Sequence, residues 1–259
     1  MEFQTIIPDK SISLFVKSIL VFEEHDKKQK TILPFFADGY PGLIFQETTN
    51  GLLVNPHSKL MPVLFLYGQT IQPIELVMTG AYKLILFQLY PFVLKSFFNV
   101  VPKDLNDNCY DLEQIDATIG MNTIHQLQQT KKFNERVKII TAFLNSLFKN
   151  KQEELDLTIA LAIKIIINKK GQLVIGELYD ELHLTERTFE RRFFTAVGVT
   201  AKQFAKIIQF QQSLEQITVK DYSKLSDIVY ANGFADQSHF IKVFKAFTGK
   251  TPLAFTSKK

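Results

Sequence analysis

Tryptophan is absent from this chain, cysteine occurs once and methionine four times. The lone Cys109 excludes an intramolecular disulfide and fits a reducing, cytoplasmic setting. Long apolar runs are missing too. VLFLY and LILFQLY are strand-sized, far short of the ~20 residues of a membrane span. The start, MEFQTIIPDK, lacks the basic segment and apolar run of a signal peptide. Histidines are few; His25 and His57 are far apart, with no His-x-His pattern. The spacing of metal ligands is therefore not there, and neither a metal nor another cofactor is expected. No Gly-rich phosphate loop and no Ser/His/Asp arrangement is evident. Phenylalanine is abundant, at 24, and reads as core chemistry.

What is present is a pattern that occurs twice in the last third. The first copy is IGELYDELHLTERTFERRFFTAVGVTAKQF and the second LSDIVYANGFADQSHFIKVFKAFTGKTPLAF. Shifted by 50 residues, Ile175, Leu178 and Leu184 fall on Leu225, Ile228 and Phe234. Shifted by 51, Phe189, Phe193, Gly198, Thr200 and Phe204 fall on Phe240, Phe244, Gly249, Thr251 and Phe255. A repeat this long points to two copies of one structural module.

Each copy reads as a short helix, a tight turn and a second helix. Ile175, Leu178 and Leu182 share one helical face. Thr185 then suits an N-cap, Phe189 and Phe193 share the back of the next helix, and Gly198 ends it. In the second copy Gly233 makes the turn, Asp236 caps the helix, and Phe240 and Phe244 form its back. The fronts are polar: Arg187, Glu190 and Arg191 in the first, Gln237, Ser238, His239 and Lys242 in the second. That is a helix-turn-helix reading. Two ordinary helical hairpins with solvated fronts are the plainer alternative. Between the copies, Phe204, Ile207, Ile208, Leu214 and Ile217 form the stripe of a connecting helix. Its 17 residues from Ala201 to Ile217 span roughly 25 Å, enough to hold two helices about one DNA turn apart.

The residues suit double-stranded DNA as partner. Arg pairs bidentately with guanine and Gln with adenine in the major groove. Glu190 either accepts from cytosine or holds Arg187 or Arg191 in place. His239 either donates to a base or phosphate or has no role. Lys202, Lys206, Lys245 and Lys250 suit phosphate contacts, or are simply solvated. Charge agrees: basic and acidic residues balance over 1–150, so the whole +4 excess lies in 151–259.

The segment Leu173–Phe255 resembles the DNA-binding domain of AraC-type transcriptional regulators. GFADQSHFIKVFKAFTGKTPLAF is close to that family's signature, and LTERTFERRF resembles its less constant first module. The resemblance implies seven helices, with two recognition helices in successive major grooves. It places Arg187, Glu190, Arg191, Gln237, Ser238, His239 and Lys242 at base-facing positions, and adds RNA polymerase as a partner if the chain activates. One position departs: Gln209 stands where relatives often have Arg.

Residues 1–110 read differently. GLIFQ, GLLVN, PVLFLYG, IELVM and YKLILFQLY are short β-rich runs between Pro, Gly and Asn, as in an antiparallel sandwich or small barrel. LPFFADGYPGLIFQ, LYGQTIQPIEL and LYPFVLKSFFNVVPKDLND resemble a cupin-like sensory domain, which implies sensing of a small-molecule effector or homodimerisation. Phe35, Phe36, Phe45, Phe65, Tyr67 and Phe87 either line an effector pocket or form the core. Helical periodicity covers Asp111–Leu127 and Asn134–Phe148, where Val137, Ile140, Leu144, Leu147 and Phe148 make one stripe that packs on the barrel or on a second subunit. NKQEE (Asn150–Glu154) reads as the linker, with a helix over Leu155–Ile167 beyond it.

The expected chain is thus α+β: a cupin-like effector-sensing or dimerisation domain over 1–150 and an all-α DNA-binding domain over 151–259. It is read as a transcription regulator, not an enzyme. Two other functions compete. One is a cysteine-dependent alkyl-transfer enzyme fused to a DNA-binding domain. For it Cys109 is the one nucleophile, in an acidic stretch, NDNCYDLE, that raises its pKa. The other is an interaction module that has lost DNA binding, favoured by Gln209.

Overall fold

The structure is a computed structural model that describes residues 1–112 and 117–257. Two antiparallel sheets occupy the first part. The larger runs in the order β1 (Glu2–Ile6), β2 (Val16–Glu24), β9 (Tyr82–Leu89), β4 (Gly42–Thr48), β7 (Leu64–Tyr67), β10 (Cys109–Asp111). The smaller runs β3 (Lys30–Phe35), β8 (Ile74–Thr79), β5 (Leu52–Asn55), β6 (Lys59–Leu60). The two remain separate hydrogen-bonded sheets, so the sandwich is realised and the closed barrel is not.

The apolar run of β9 is explained by burial on both faces. Leu84 and Leu86 face the small sheet with Ile44, Phe65 and Tyr67. Ile85 and Phe87 face the other way with Leu43 and Phe45, against helices. Those helices are α1 (Val93–Phe98), α2 (Pro102–Leu105), α3 (Ala117–Gln129) and α4 (Phe133–Lys151). Of the helix expected over Asp111–Leu127, Asp111 lies in β10, paired with Phe65 of β7. Leu112 is helical, residues 113–116 lie outside the described residues, and α3 covers Ala117–Gln129. Along α4, Ile140, Leu144 and Leu147 are buried in the core of the same chain, and Phe148 stacks on Phe15 at 5.0 Å. The apolar stripe packs on the sheet rather than facing a second subunit.

The NKQEE segment is structured. Helix α4 runs to Lys151 and a 3-10 turn follows over Gln152–Glu154. Seven helices then follow among the described residues: α5 (Leu157–Asn168), α6 (Ile175–Glu181), α7 (Glu186–Val197), α8 (Ala201–Val219), α9 (Leu225–Ala231), α10 (Gln237–Thr248) and α11 (Pro252–Thr256). None of the described helices is long and apolar enough to cross a membrane.

Two cores organise these helices. Phe240, Phe244, Phe247, Phe234, Ile228 and Phe210 form one, with Ala37 from the first part. Phe189, Phe193, Val197, Phe204 and Leu178 belong to the other, which continues without a break into Phe97, Leu105, Phe143 and the helical face of the large sheet. The first module therefore shares its core with the sheet domain, whereas the second largely closes on itself.

Candidate nucleic-acid interface

The second helices of the two modules begin and end alike. Thr185 Oγ1 accepts from Thr188 N–H (3.3 Å) at the start of α7. Asp236 Oδ1 accepts from His239 N–H (2.8 Å) at the start of α10. Each helix has 12 residues and ends on a glycine at positive φ, Gly198 (84°) and Gly249 (73°). Thr200 and Thr251 then cap the next helices. These caps satisfy backbone donors that a helix start leaves unpaired, and fix where each helix begins. The turns match as well. Gly233 has φ 68°, and its counterpart fifty residues earlier, His183, has φ 52°.

With Phe189, Phe193, Phe240 and Phe244 fully buried, the opposite faces point outward. Arg187, Arg191, Gln237, Ser238 and Lys242 are exposed, while Glu190 and His239 are half-buried. Glu190 is held by Tyr179, whose hydroxyl donates to Glu190 Oε1 at 3.1 Å. Burial, then this bond and the charge of Glu190, push the Tyr179 phenol up to about 12. His239 sets its ring edge against Phe234 at 5.8 Å. Its Nδ1 is buried with no hydrogen-bond partner among the described residues. Lys202, Lys245 and Lys250 are exposed and Lys206 is half-buried. Lys250 also lines a cleft of ≈ 310 Å³ with Phe36, Glu75 and Phe255.

Three arginines crowd α7, but one faces inward. Arg192 donates from Nε and Nη2 to Asp156, at 2.8 and 2.5 Å. Burial alone would raise the Asp156 carboxyl. The Arg192 bonds and the amide of Ile159 more than offset it and hold the group below its usual range. Asp156 is itself the N-cap of α5, so this pair ties α7 to the first helix of the domain. The periodicity of the sequence gave no sign of it, because the partners lie 36 residues apart.

The connector α8 is 19 residues long, about 28 Å at helical rise. Gln209, the position that departs from the family pattern, donates to the Asn232 carbonyl (2.6 Å) in the turn of the second module. Asn232 Nδ2 reaches back to Gln216 (2.6 Å) and to the Ile228 carbonyl (2.8 Å). The turn is thus fastened to the connector by side-chain amides.

The six aromatic residues expected around an effector pocket do not face one space. Phe65 and Tyr67 lie between the sheets, with Phe35 packed beside them. Phe45 and Phe87 lie on the helical side of the large sheet. Phe36 packs on Phe255 of α11 (5.8 Å). They are core or junction residues, because neighbouring positions on a strand point to opposite faces. Cys109 is buried, and burial rather than nearby acids pushes its thiol up to about 11, with Lys59 pulling the other way. A thiol so placed is a poor nucleophile. No group of three or more His, Cys, Asp or Glu among the described residues is arranged to hold a metal ion.

The helix-turn-helix part has counterparts among known proteins. Residues 178–258 match the model of a helix-turn-helix domain, and residues 4–111 match a domain of unknown function (DUF6597). Over 76 residues the chain is 32% identical to the HTH-type transcriptional activators RhaS of Yersinia pestis (strain Pestoides F) and of Yersinia pseudotuberculosis serotype O:1b (strain IP 31758). That stretch is 29% of this chain and 28% of each activator. Among solved structures, ToxT from Vibrio cholerae O395 aligns with 98% of this chain and 97% of its own, at 14% identity and a TM-score of 0.47. The AraC-like transcriptional activator CuxR aligns with 83% and 87%, at 13% identity and a TM-score of 0.30.

Proposed function

We infer that this chain, whose residues 178–258 match a helix-turn-helix domain and whose Leu173–Phe255 segment resembles AraC-type regulators, is a DNA-binding regulator of transcription that reads two successive major grooves. The observation that carries this reading is the duplicated module: two recognition helices with matching caps and matching apolar backs, held at the two ends of one 19-residue helix. In this reading α7 presents Arg187 and Arg191 to base edges, and α10 presents Gln237, Ser238 and Lys242. Glu190, anchored on Tyr179, shapes the first front, and His239 has only Nε2 free to reach outward. Lys202, Lys206, Lys245 and Lys250 meet phosphates, which position the protein without reading sequence.

The chain divides, on this reading, into a regulatory part over 1–150 and a DNA-binding part over 151–259. The regulatory part acts through the core it shares with the first module. An effector that altered the sheet domain would reach α7 directly, because Phe97, Leu105, Phe189 and Phe193 belong to one packed cluster. The RhaS activators match over 76 residues, 29% of this chain and 28% of their own length, so the effector is left to the sheet domain's own chemistry.

The test is binding of the purified chain to fragments selected from its genome, beside random duplex, at fixed salt. Wild-type protein should favour the selected fragments by 10³-fold or more, the usual margin of specific over non-specific binding. Equal affinity for both would reject sequence-specific reading.

A further inference from the structure

We propose that the sheet domain adds its own contacts to DNA: Lys95 of α1 and Lys103 of α2 bind backbone phosphates beside the groove that α7 enters. This rests on the DNA-binding reading above and extends the interface beyond the helix-turn-helix domain.

The argument starts from how α2 meets α7. Asn106 Nδ2 donates to the Gly198 carbonyl at 2.8 Å, which fixes the α2 corner on the C-terminal end of the recognition helix. A Cβ on Gly198 would lie 2.7 Å from the Pro102 carbonyl carbon, so the backbones touch. Lys103 then extends along the outer side of α7, its Nζ 5.9 Å from the centre of the Phe194 ring. Phe194 lies three residues beyond Arg191, on the outward side of the helix, and is 37% exposed. Next to it, Lys95, Ser96 and Asn99 line one side of a cleft of ≈ 410 Å³ whose other side is Arg191, Arg192 and Thr195.

Charge and distance indicate what this corner meets. Lys95 and Lys103 are exposed and have no ion-pair partner among the described residues. Three acids lie close by. Asp156 is neutralised by Arg192, while Glu154 on the cleft rim and Asp104 beside Lys103 are exposed. Recognition helices meet base edges with their N-terminal residues. From Arg187 to Phe194 is seven residues, about 10 Å of helix, close to the ~12 Å width of the major groove. An ammonium group at Phe194 therefore stands at the wall of the groove, where the phosphates are. A protein partner would need an acidic surface at the same place, and DNA supplies one at every step.

The experiment uses the full chain and a mixed-sequence duplex, with binding measured across a salt series. Each phosphate contact adds about 0.9 to the slope of log K against log salt. The double variant Lys95→Gln/Lys103→Gln should lower the slope by about 2, weaken binding at low salt and leave sequence ranking unchanged. Lys103→Arg should keep the wild-type slope. Lys17→Gln/Lys138→Gln, exposed lysines that do not line the cleft, should also leave it unchanged. All four side chains are solvent-facing, so melting temperatures should match the wild type. An unchanged slope in the Lys95/Lys103 variant, while Arg191→Ala still weakens binding, would overturn this proposal alone. Tighter binding by that variant would overturn it too, showing that the corner obstructs DNA. If wild-type protein bound no duplex at all, this proposal and the DNA-binding reading would fall together.

Discussion

At the scale of single residues, three arginines on one helix have different fates. Arg192 is held, part-exposed, by Asp156 at the base of the cleft, while Arg187 and Arg191 face outward. Arg191→Ala should cost about 1–3 kcal/mol in specific binding and relax preference at one or two base pairs. Arg192→Ala should instead lower stability by about 1–2 kcal/mol, as for a part-exposed charged hydrogen-bond pair. Denaturant melts and affinities for matched and mismatched duplexes, run on both variants, separate the two roles. The turns offer a second comparison. His183 holds the left-handed conformation that Gly233 holds in the other copy. A left-handed conformation costs a non-glycine residue roughly 1–2 kcal/mol, and glycine's extra freedom when unfolded returns part of that. His183→Gly should therefore stabilise by about 0.5–1 kcal/mol, and Gly233→Val should destabilise the second module. Equal melting of all three proteins would contradict this. Asp38 gives a pH signature: burial pushes its carboxyl up to about 6, against bonds from Gln88 and the Tyr40 amide. A raised acid favours folding below its unfolded value near 3.8 and loses that contribution as pH rises through 6. The stability difference between Asp38→Asn and wild type should thus grow from pH 4 to pH 7; a flat difference would show Asp38 to be solvated.

At the scale of elements, α7, α10 and the connector α8 were legible because their signals are local. The cap at Thr185, the apolar spacing of Phe189 and Phe193 and the end at Gly198 lie within one helix, as do Asp236, Phe240, Phe244 and Gly249 in the second copy. Four things were not legible, each for a reason outside its own stretch of sequence. Asp111 reads as helical but pairs with Phe65 in the sheet. The polar NKQEE stretch reads as slack, yet it closes as a turn whose Glu154 carbonyl accepts from Ser96 (3.2 Å). Glu190 reads either as an acceptor from cytosine or as a partner for the arginines beside it, and the fold adds a bond from Tyr179. Gln209 belongs with these: its bond to the Asn232 carbonyl joins residues 23 apart. Gln209→Ala should leave α8 intact but loosen the turn before α10, seen as faster amide exchange at Gly233 and Phe234. Unchanged exchange there would show that the other Asn232 bonds suffice.

At the scale of the molecule, the chain has two helix-turn-helix modules with unequal autonomy. The second closes its own core, whereas the first shares one with α1, α2 and α4. The sheet domain holds the second module by lighter contacts. Phe36 packs on Phe255 at 5.8 Å, and Gln211 of the connector donates to the Ala37 carbonyl. A fragment cut at Gln152–Glu154 should keep α10 protected from amide exchange while α7 exchanges at least tenfold faster than in the full chain, since removing its neighbours exposes apolar surface. Equal protection of both helices would show the domains to be independent. The central claim, that one chain reads DNA with two helices, has a direct test. Genomic fragments selected by wild-type protein should share two short half-elements about one helical turn apart on one face of the duplex. Repeating the selection with Arg191→Ala should blur one half-element, and with Gln237→Ala the other. A single half-element, or one that both variants blur alike, would contradict the account.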